Sequence, residues 1–168
     1  MHKMIFATAA LVGLGTGVGA ANAAPAGGIV RHKGAPEAPI LAGVTVPAGS
    51  TYLYLSGQVP AADPAKPTGT PDAYGDTQTQ ATSVFRKIET LLKGQGYALG
   101  DVVKLTVFLV GDPKLGGKQD FKGFQTAYSQ FFGTAAQPNI VARSTVQVAA
   151  LANPAYLVEI EATAAKAP

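Results

Sequence analysis

The strongest constraint on the fold is a helix pattern that is followed directly by a strand pattern. Apolar residues recur every three or four positions across residues 77–92, as on the buried face of an amphipathic helix. They are Ala81, Val84, Phe85, Ile88, Leu91 and Leu92. Residues 102–110 instead alternate between apolar and polar side chains, as in a strand with one buried face. Because each element must bury its apolar side, the stretch predicts an α+β domain.

The ends of the first helix and the position of a second helix are also predicted. Thr77 with Gln80 three positions later is a capping-box pattern, and the glycines at 94 and 96 supply the stop. A shorter helix is expected from about Asp120 to Gly133. Its buried stripe would consist of Phe121, Phe124, Tyr128 and Phe131.

Four further strands are predicted, over residues 41–46, 51–56, 140–149 and 156–163. The element order is therefore β-β-α-β-α-β-β, which predicts a mixed sheet of five to six strands with two helices on one face. Two helices cover only one face of such a sheet. The other face must meet solvent or another subunit.

The last two strands are predicted to form an antiparallel hairpin, because Asn153-Pro154 lies between them as a turn signal. Alternation assigns one face of each strand to the helices. That face would hold Ile140, Ala142, Ser144, Val146 and Val148 on one strand and Tyr156, Val158, Ile160 and Ala162 on the other. The opposite face would bring together Arg143, Thr145, Gln147, Glu159 and Glu161.

The first 23 residues have the three-part pattern of a secretory signal peptide. Lys3 precedes an uncharged apolar run, and Ala21-Asn22-Ala23 supplies alanine at both positions that signal peptidase reads. We therefore expect a periplasmic or secreted protein with no membrane segment after cleavage. An uncleaved anchor and a disordered leader are the alternatives. Residues 24–38 are expected to be a flexible tail, and residues 39–165 a single domain.

Composition excludes several classes of site. There are no cysteines, so disulfides, thiolate nucleophiles and thiolate metal sites are impossible. His32 is the only histidine after the leader, which argues against a histidine zinc site or a Ser-His-Asp triad, and no metal or cofactor is predicted. The 12 basic and 10 acidic residues that follow residue 23 are nearly balanced and form no basic run with aromatics. Nucleic-acid binding therefore has no support.

Arg143 with either Glu159 or Glu161 is the pair best suited to chemistry, because the sequence does not determine the register of the two strands. A guanidinium captures a carboxylate through two parallel hydrogen bonds, and a nearby carboxylate can orient or deprotonate a water. Arginine and glutamate on neighbouring strands are also typical of an ordinary exposed ion pair, which contributes little to stability. The spacing alone favours this ordinary ion pair.

Four segments resemble the RidA/YjgF family of reactive-intermediate (enamine/imine) deaminases. They are Leu55-Ser56-Gly57-Gln58-Val59-Pro60, the strand from Gly100 to Phe108, Ala142-Arg143-Ser144-Thr145-Val146, and Val158-Glu159-Ile160-Glu161-Ala162. The resemblance runs in order from about residue 41 to residue 164. It implies a chorismate-mutase-like fold, a homotrimer with sites between subunits, and hydrolysis of 2-imino acids and enamines to 2-oxo acids and ammonia without metal or cofactor.

The resemblance also implies roles for individual residues. Arg143 matches the arginine that clamps the substrate carboxylate, and Glu159 matches the glutamate that positions the attacking water. Thr145 stands where the family often has cysteine, at a position whose backbone contacts the substrate. Ser56 lies in the Ser-Gly-Gln segment near the pocket, and Gln125 stands where asparagine is common.

The chain also departs from the family pattern. Ile40-Leu41 occupies the place of an aromatic residue in many deaminating members. One alternative is therefore a non-catalytic periplasmic protein that binds a small carboxylate or amine metabolite in the same cleft. A chaperone-like interaction protein is a third possibility.

Overall fold

The computed structural model describes residues 27–67 and 71–168, in which one six-stranded sheet carries two α-helices. The strands are β1 (Val30–Lys33), β2 (Leu41–Thr45), β3 (Thr51–Gln58), β4 (Val102–Val110), β5 (Ala142–Val148) and β6 (Val158–Lys166). The helices are α1 (Thr77–Gly94) and α2 (Phe121–Tyr128). The strand order across the sheet is β1-β2-β5-β4-β6-β3. The predicted signal peptide lies outside the described residues.

The prediction of a β5–β6 hairpin is wrong, because β4 lies between these two strands. β4 pairs with β5 in parallel and with β6 in antiparallel orientation. The physical reason is that β4 has the most strongly apolar inner face of the sheet and is buried best with a neighbour on each side. The connection over residues 149–157 is also longer than the two to five residues typical of a hairpin loop.

The core lies between the helices and one face of the sheet. Phe85 and Ile88 of α1, Phe124 of α2, and Leu105 and Ile160 of the sheet are fully buried there. The opposite face has no helix, as predicted, and leaves Tyr52, Tyr54 and Val146 exposed. Each Å² of apolar surface removed from water contributes about 25 cal/mol to the free energy of unfolding. The core on the helix side is therefore the main source of stability. No helix in residues 27–67 and 71–168 is long and apolar enough to cross a membrane.

The predicted facing of β6 is confirmed, but that of β5 is wrong. Arg143 is paired with the fully buried Leu105, and Thr145 is paired with the fully buried Val107. Odd-numbered residues of β5 therefore face the helices, while Val146 lies 45% exposed on the open face. The alternation of residue types along β5 predicted the wrong face, because Ala142 and Ser144 are small enough to lie on either face. A guanidinium can also be buried when aromatic rings receive it.

Part of the segment predicted as a flexible tail is ordered. Strand β1 pairs antiparallel with β2 and extends the sheet by one strand. The Arg31 guanidinium donates to the backbone oxygens of Gly100, Val102 and Ile140 at 2.7–3.0 Å. Burial is the main cause that lowers the pKa of Arg31, with a nearby Asp101 acting against it. Strand β1 was not predicted, because the glycine and proline residues on both sides of it are typical of a loop.

Helix α1 is capped one residue earlier than predicted. The N-cap is Asp76, whose carboxylate accepts from the backbone N–H of Thr79 at 2.8 Å. Thr77 is the first helical residue, and its hydroxyl is buried without a hydrogen-bond partner. Gln80 instead donates to the backbone oxygens of Gly75 and Ala155 and accepts from the N–H of Leu157, so it holds the β5–β6 connection against α1.

Replacing Asp76 with alanine is expected to lower the free energy of unfolding by about 1 kcal/mol at neutral pH. The hydrogen bond from the Thr79 N–H is the largest cause that lowers the pKa of Asp76. The carboxylate therefore stabilises the fold above its unfolded pKa, and this contribution disappears as the pH falls through the folded value. Urea unfolding at pH 7 and pH 3 measures the difference between the two proteins. An equal difference at both pH values would contradict the capping role of the charged form.

Candidate functional site

The Arg143 side chain lies between strand β5 and helix α2, on the helix side of the sheet. Its Nη2 donates to the Gln125 side-chain oxygen at 2.9 Å. Its guanidinium carbon lies 4.4 Å from the ring centre of Tyr128 and 4.9 Å from that of Phe124. Stacking on these rings and one hydrogen bond fix the plane of the guanidinium, because both interactions are directional.

Burial sets the electrostatics of this cluster. Desolvation lowers the pKa of Arg143 and raises the pKa of Tyr128. The Tyr128 hydroxyl accepts from the backbone N–H of Val141 at 3.4 Å. Arginine stays charged in proteins, so Arg143 is a half-buried cation with no carboxylate beside it among the described ion pairs.

Two polar atoms in the cluster have no hydrogen-bond partner within the described part of the chain. They are Nη1 of Arg143 and Oγ1 of Thr145, and both are buried. Leaving a buried polar atom unpaired costs about 1–3 kcal/mol. Such atoms are typical of a site that is completed by a ligand or by another chain. Nη1 is the natural donor for an anion such as a carboxylate.

A cavity of about 360 Å³ lies beside the cluster. Gln125, Tyr128 and Lys33 are among the residues that line it, whereas Arg143 and Thr145 are not. In addition, the ladder between β2 and β5 consists of one residue pair, Leu41 with Ala142. The edge of β5 that carries Arg143 is thus without strand pairing on that side.

A second group of candidate residues lies on the open face of the sheet. Between Leu55 and Gln58 strand β3 contains a β-bulge against β6, and this bulge holds Ser56 and Gly57. Ser56 lines a shallow cavity of about 260 Å³ together with residues of β4 and β6, including Glu161. The Glu159 side chain lies directly over Gly57.

The structure therefore divides the predicted site residues into two groups. Arg143, Thr145 and Gln125 lie on the helix side, whereas Ser56 and Glu159 lie on the open side. Arg143 pairs with position 105 of β4 and Glu159 with position 108, so they are two strand spacings and three residues apart, about 10 Å in each direction. The predicted meeting of Arg143 and Glu159 on one face of a single chain is wrong.

Some contributors to the site could not be found from the sequence. Phe124 and Tyr128 were predicted as core residues from their helical spacing, and they are buried, but they also form the floor under Arg143. The apolar stripe of α2 gives no sign of that second role. Across residues 27–67 and 71–168, no group of three or more metal-ligating side chains comes together.

Comparisons with known proteins identify the family. A family model described as endoribonuclease L-PSP matches residues 37–166. A RutC family protein of Pyrococcus horikoshii is 36% identical over 115 residues, which cover 68% of this chain and 79% of the relative. TdcF of Escherichia coli, provisionally named a reactive intermediate deaminase, is 31% identical over 140 residues, or 82% of this chain and 96% of TdcF.

A solved structure supports the same assignment. The crystal structure of Escherichia coli TdcF with bound serine matches this chain with a TM-score of 0.55 and 30% identity. The superposition covers 73% of this chain and 85% of TdcF. The mixed sheet with two helices is thus the chorismate-mutase-like α+β fold. The chain belongs to the endoribonuclease L-PSP family, which is the RidA/YjgF family that its sequence motifs resemble.

Proposed function

We propose that this protein hydrolyses 2-imino acids and their enamine tautomers to 2-oxo acids and ammonia. The observation that carries the proposal is the half-buried Arg143, whose guanidinium is fixed against α2 and whose buried Nη1 has no partner within the described residues. Membership of the family and the similarity to TdcF support the same reaction class. The serine bound in the TdcF crystal structure carries the α-carboxylate that such an arginine would hold.

The reaction needs little beyond orientation and one activated water. In the proposed mechanism Arg143 holds the carboxylate of a protonated 2-imino acid, and Glu159 accepts a proton from a water that attacks C2. A C–O bond forms and gives a carbinolamine, and Glu159 then returns the proton to nitrogen. The C–N bond breaks as ammonia leaves, and the C2 hydroxyl loses its proton to Glu159 as the C=O bond forms. The products are a 2-oxo acid and ammonia, which carries away the remaining proton as ammonium. Positioning contributes strongly here, because a protonated imine is already electrophilic.

The proposed site requires two subunits. Arg143 and Glu159 lie on opposite faces of the sheet in one chain, so a water held by Glu159 is out of reach of a substrate held by Arg143 of that chain. We infer a homotrimer in which Arg143, Thr145 and Gln125 of one subunit face Ser56 and Glu159 of the next. The helix-free face with its exposed Tyr52, Tyr54 and Val146 supports such packing.

Export is part of the proposal. The signal-peptide pattern of residues 1–23 motivates it, and the enzyme would then act on imines in the periplasm or outside the cell. N-terminal sequencing of the protein recovered from the periplasmic fraction tests this. A mature N-terminus near residue 24 supports export, whereas full-length protein confined to the cytoplasm contradicts it.

Binding without catalysis is the second candidate function. It is favoured by Ile40, which packs against the core where many deaminating relatives have an aromatic residue. The same Arg143 cluster would then hold a small carboxylate metabolite. Thermal-shift measurements with 2-oxo acids detect this, because a ligand that binds the native state raises the Tm.

An oxidase-coupled assay tests the proposed reaction. An amino-acid oxidase generates a 2-imino acid, and its disappearance is followed with and without the purified mature protein. Faster decay with the protein supports deamination. Unchanged decay for imino acids of several side-chain types, together with a Tm shift by 2-oxo acids, would overturn deamination in favour of binding.

A further inference from the structure

We infer that Gly57 is a positioning residue, because its missing side chain provides the space in which Glu159 lies. This inference rests on the proposed function, since it concerns the water-positioning carboxylate. A Cβ atom at position 57 would overlap Oε1 of Glu159 and come within 2.7 Å of Cδ and 3.0 Å of Cγ. Contacts under 3.0 Å are essentially never made by real Cβ atoms, so the Glu159 side chain would have to move.

The glycine is not explained by its backbone. Six glycines of the described residues have positive φ, at positions 49, 75, 96, 116, 117 and 133, and Gly57 is not among them. Its backbone conformation is therefore open to other residues. The nearest obstacles to a side chain at this position are the three Glu159 atoms themselves. The carboxylate, rather than the turn of the chain, requires a glycine here.

Packing is what determines where the Glu159 carboxylate lies. Within the described part of the chain the Glu159 side chain makes neither a hydrogen bond nor an ion pair. No polar partner would therefore hold its carboxylate in place if a side chain at position 57 occupied this space. Across the sheet Glu159 is paired in register with Phe108 of β4. The β3 bulge brings Gly57 against the carboxylate, as bulges next to active sites often re-aim the chain.

Displacing the Glu159 carboxylate should slow catalysis. A Gly57→Ala protein keeps the carboxylate but displaces it by the size of a methyl group, and misplacement by about 1 Å can cost about 10²-fold in rate. We expect kcat to fall by about 10- to 100-fold while the affinity for 2-oxo acids changes by less than about threefold. Binding changes little because the proposed carboxylate clamp, Arg143, lies in the other group of residues.

The experiment combines Gly57→Ala with Glu159→Ala, using Gly43→Ala as the matched control. Gly43 also lies in a strand, but a Cβ there meets nothing within 4 Å. Because the end of the flexible Glu159 side chain can move aside at little cost, Gly57→Ala is expected to lower the Tm of the wild-type protein by only about a degree and to leave the Tm of the Glu159→Ala protein unchanged. Adding Gly57→Ala to Glu159→Gln should likewise cause no further loss of kcat.

The possible outcomes separate this inference from the proposed reaction. Equal Tm losses from Gly57→Ala in the wild-type and Glu159→Ala backgrounds would show that Gly57 does not provide the space for Glu159. If the wild-type protein is active and the Gly57→Ala protein has the same kcat, the positioning role is wrong. If the wild-type protein has no turnover, the proposed reaction fails, and the Tm coupling alone decides whether Gly57 accommodates Glu159. Gly43→Ala should leave kcat unchanged, and its effect on the Tm should be the same with and without Glu159→Ala.

Discussion

Replacing Arg143 with alanine is expected to lower kcat/KM for 2-imino acids by about 10²- to 10⁴-fold. The substitution removes the donor for the substrate carboxylate, and hydrogen bonds from a charged group contribute about 1.5–3 kcal/mol each. The Tm increase that 2-oxo acids produce should disappear at the same time. The oxidase-coupled assay and thermal shift measure the two effects on one protein preparation.

Two further variants separate lost recognition from lost folding. Arg143→Lys keeps the charge near Tyr128 and Phe124 but lacks the planar fork, so its kcat/KM should still fall by about 10- to 100-fold. Arg86→Lys changes an exposed arginine of α1 and should behave as wild type. Wild-type kcat/KM for the Arg143→Ala protein would show that the carboxylate is held elsewhere.

Replacing Glu159 with glutamine is expected to lower kcat by about 10²- to 10⁴-fold, which is the usual contribution of general acid–base catalysis. Glutamine has nearly the same shape and can occupy the space over Gly57, but it cannot accept the proton of the attacking water. The affinity for 2-oxo acids should therefore stay close to the wild-type value. Single-turnover kinetics and thermal shift distinguish the loss of chemistry from a loss of binding.

Glu161 provides the matched control for this variant. It lies on the same strand and the same open face, two residues further along, and it is exposed. Glu161→Gln removes the same charge and should retain nearly all activity. Equal losses in the two glutamine variants would indicate a general effect of negative charge on the open face rather than a specific role of Glu159.

Sequence patterns predicted the elements of the fold better than their arrangement. Strong periodicity placed α1 and β4, and the stripe of α2 was correct for Phe124 and Tyr128. The hairpin was wrong because local turn signals say nothing about a third strand inserted between two sequential ones. Strand β1 was missed because its order depends on Arg31, which binds backbone oxygens about 70 and 109 residues away.

The candidate residues were predicted from family motifs, but their spatial relation was not. Alternation gives the facing of a strand only where apolar residues occupy one side, as in β6. In β5 the buried side holds Arg143 and Thr145, so the apolar rule assigned the wrong face. A site that is divided between subunits also leaves each half looking incomplete in one chain. In the proposed site, the Nη1 of Arg143, which has no hydrogen-bond partner within the described residues, is such an incomplete half.

Mixing two inactive variants tests the composite site most directly. Arg143→Ala and Glu159→Gln chains are co-expressed with different tags, and the oligomers that carry both tags are purified and assayed. If each site takes Arg143 from one subunit and Glu159 from the next, every closed trimer that carries both chains has one intact site in three, so about a third of the wild-type activity is restored. Mixed oligomers that are as inactive as either parent would contradict a site shared between subunits.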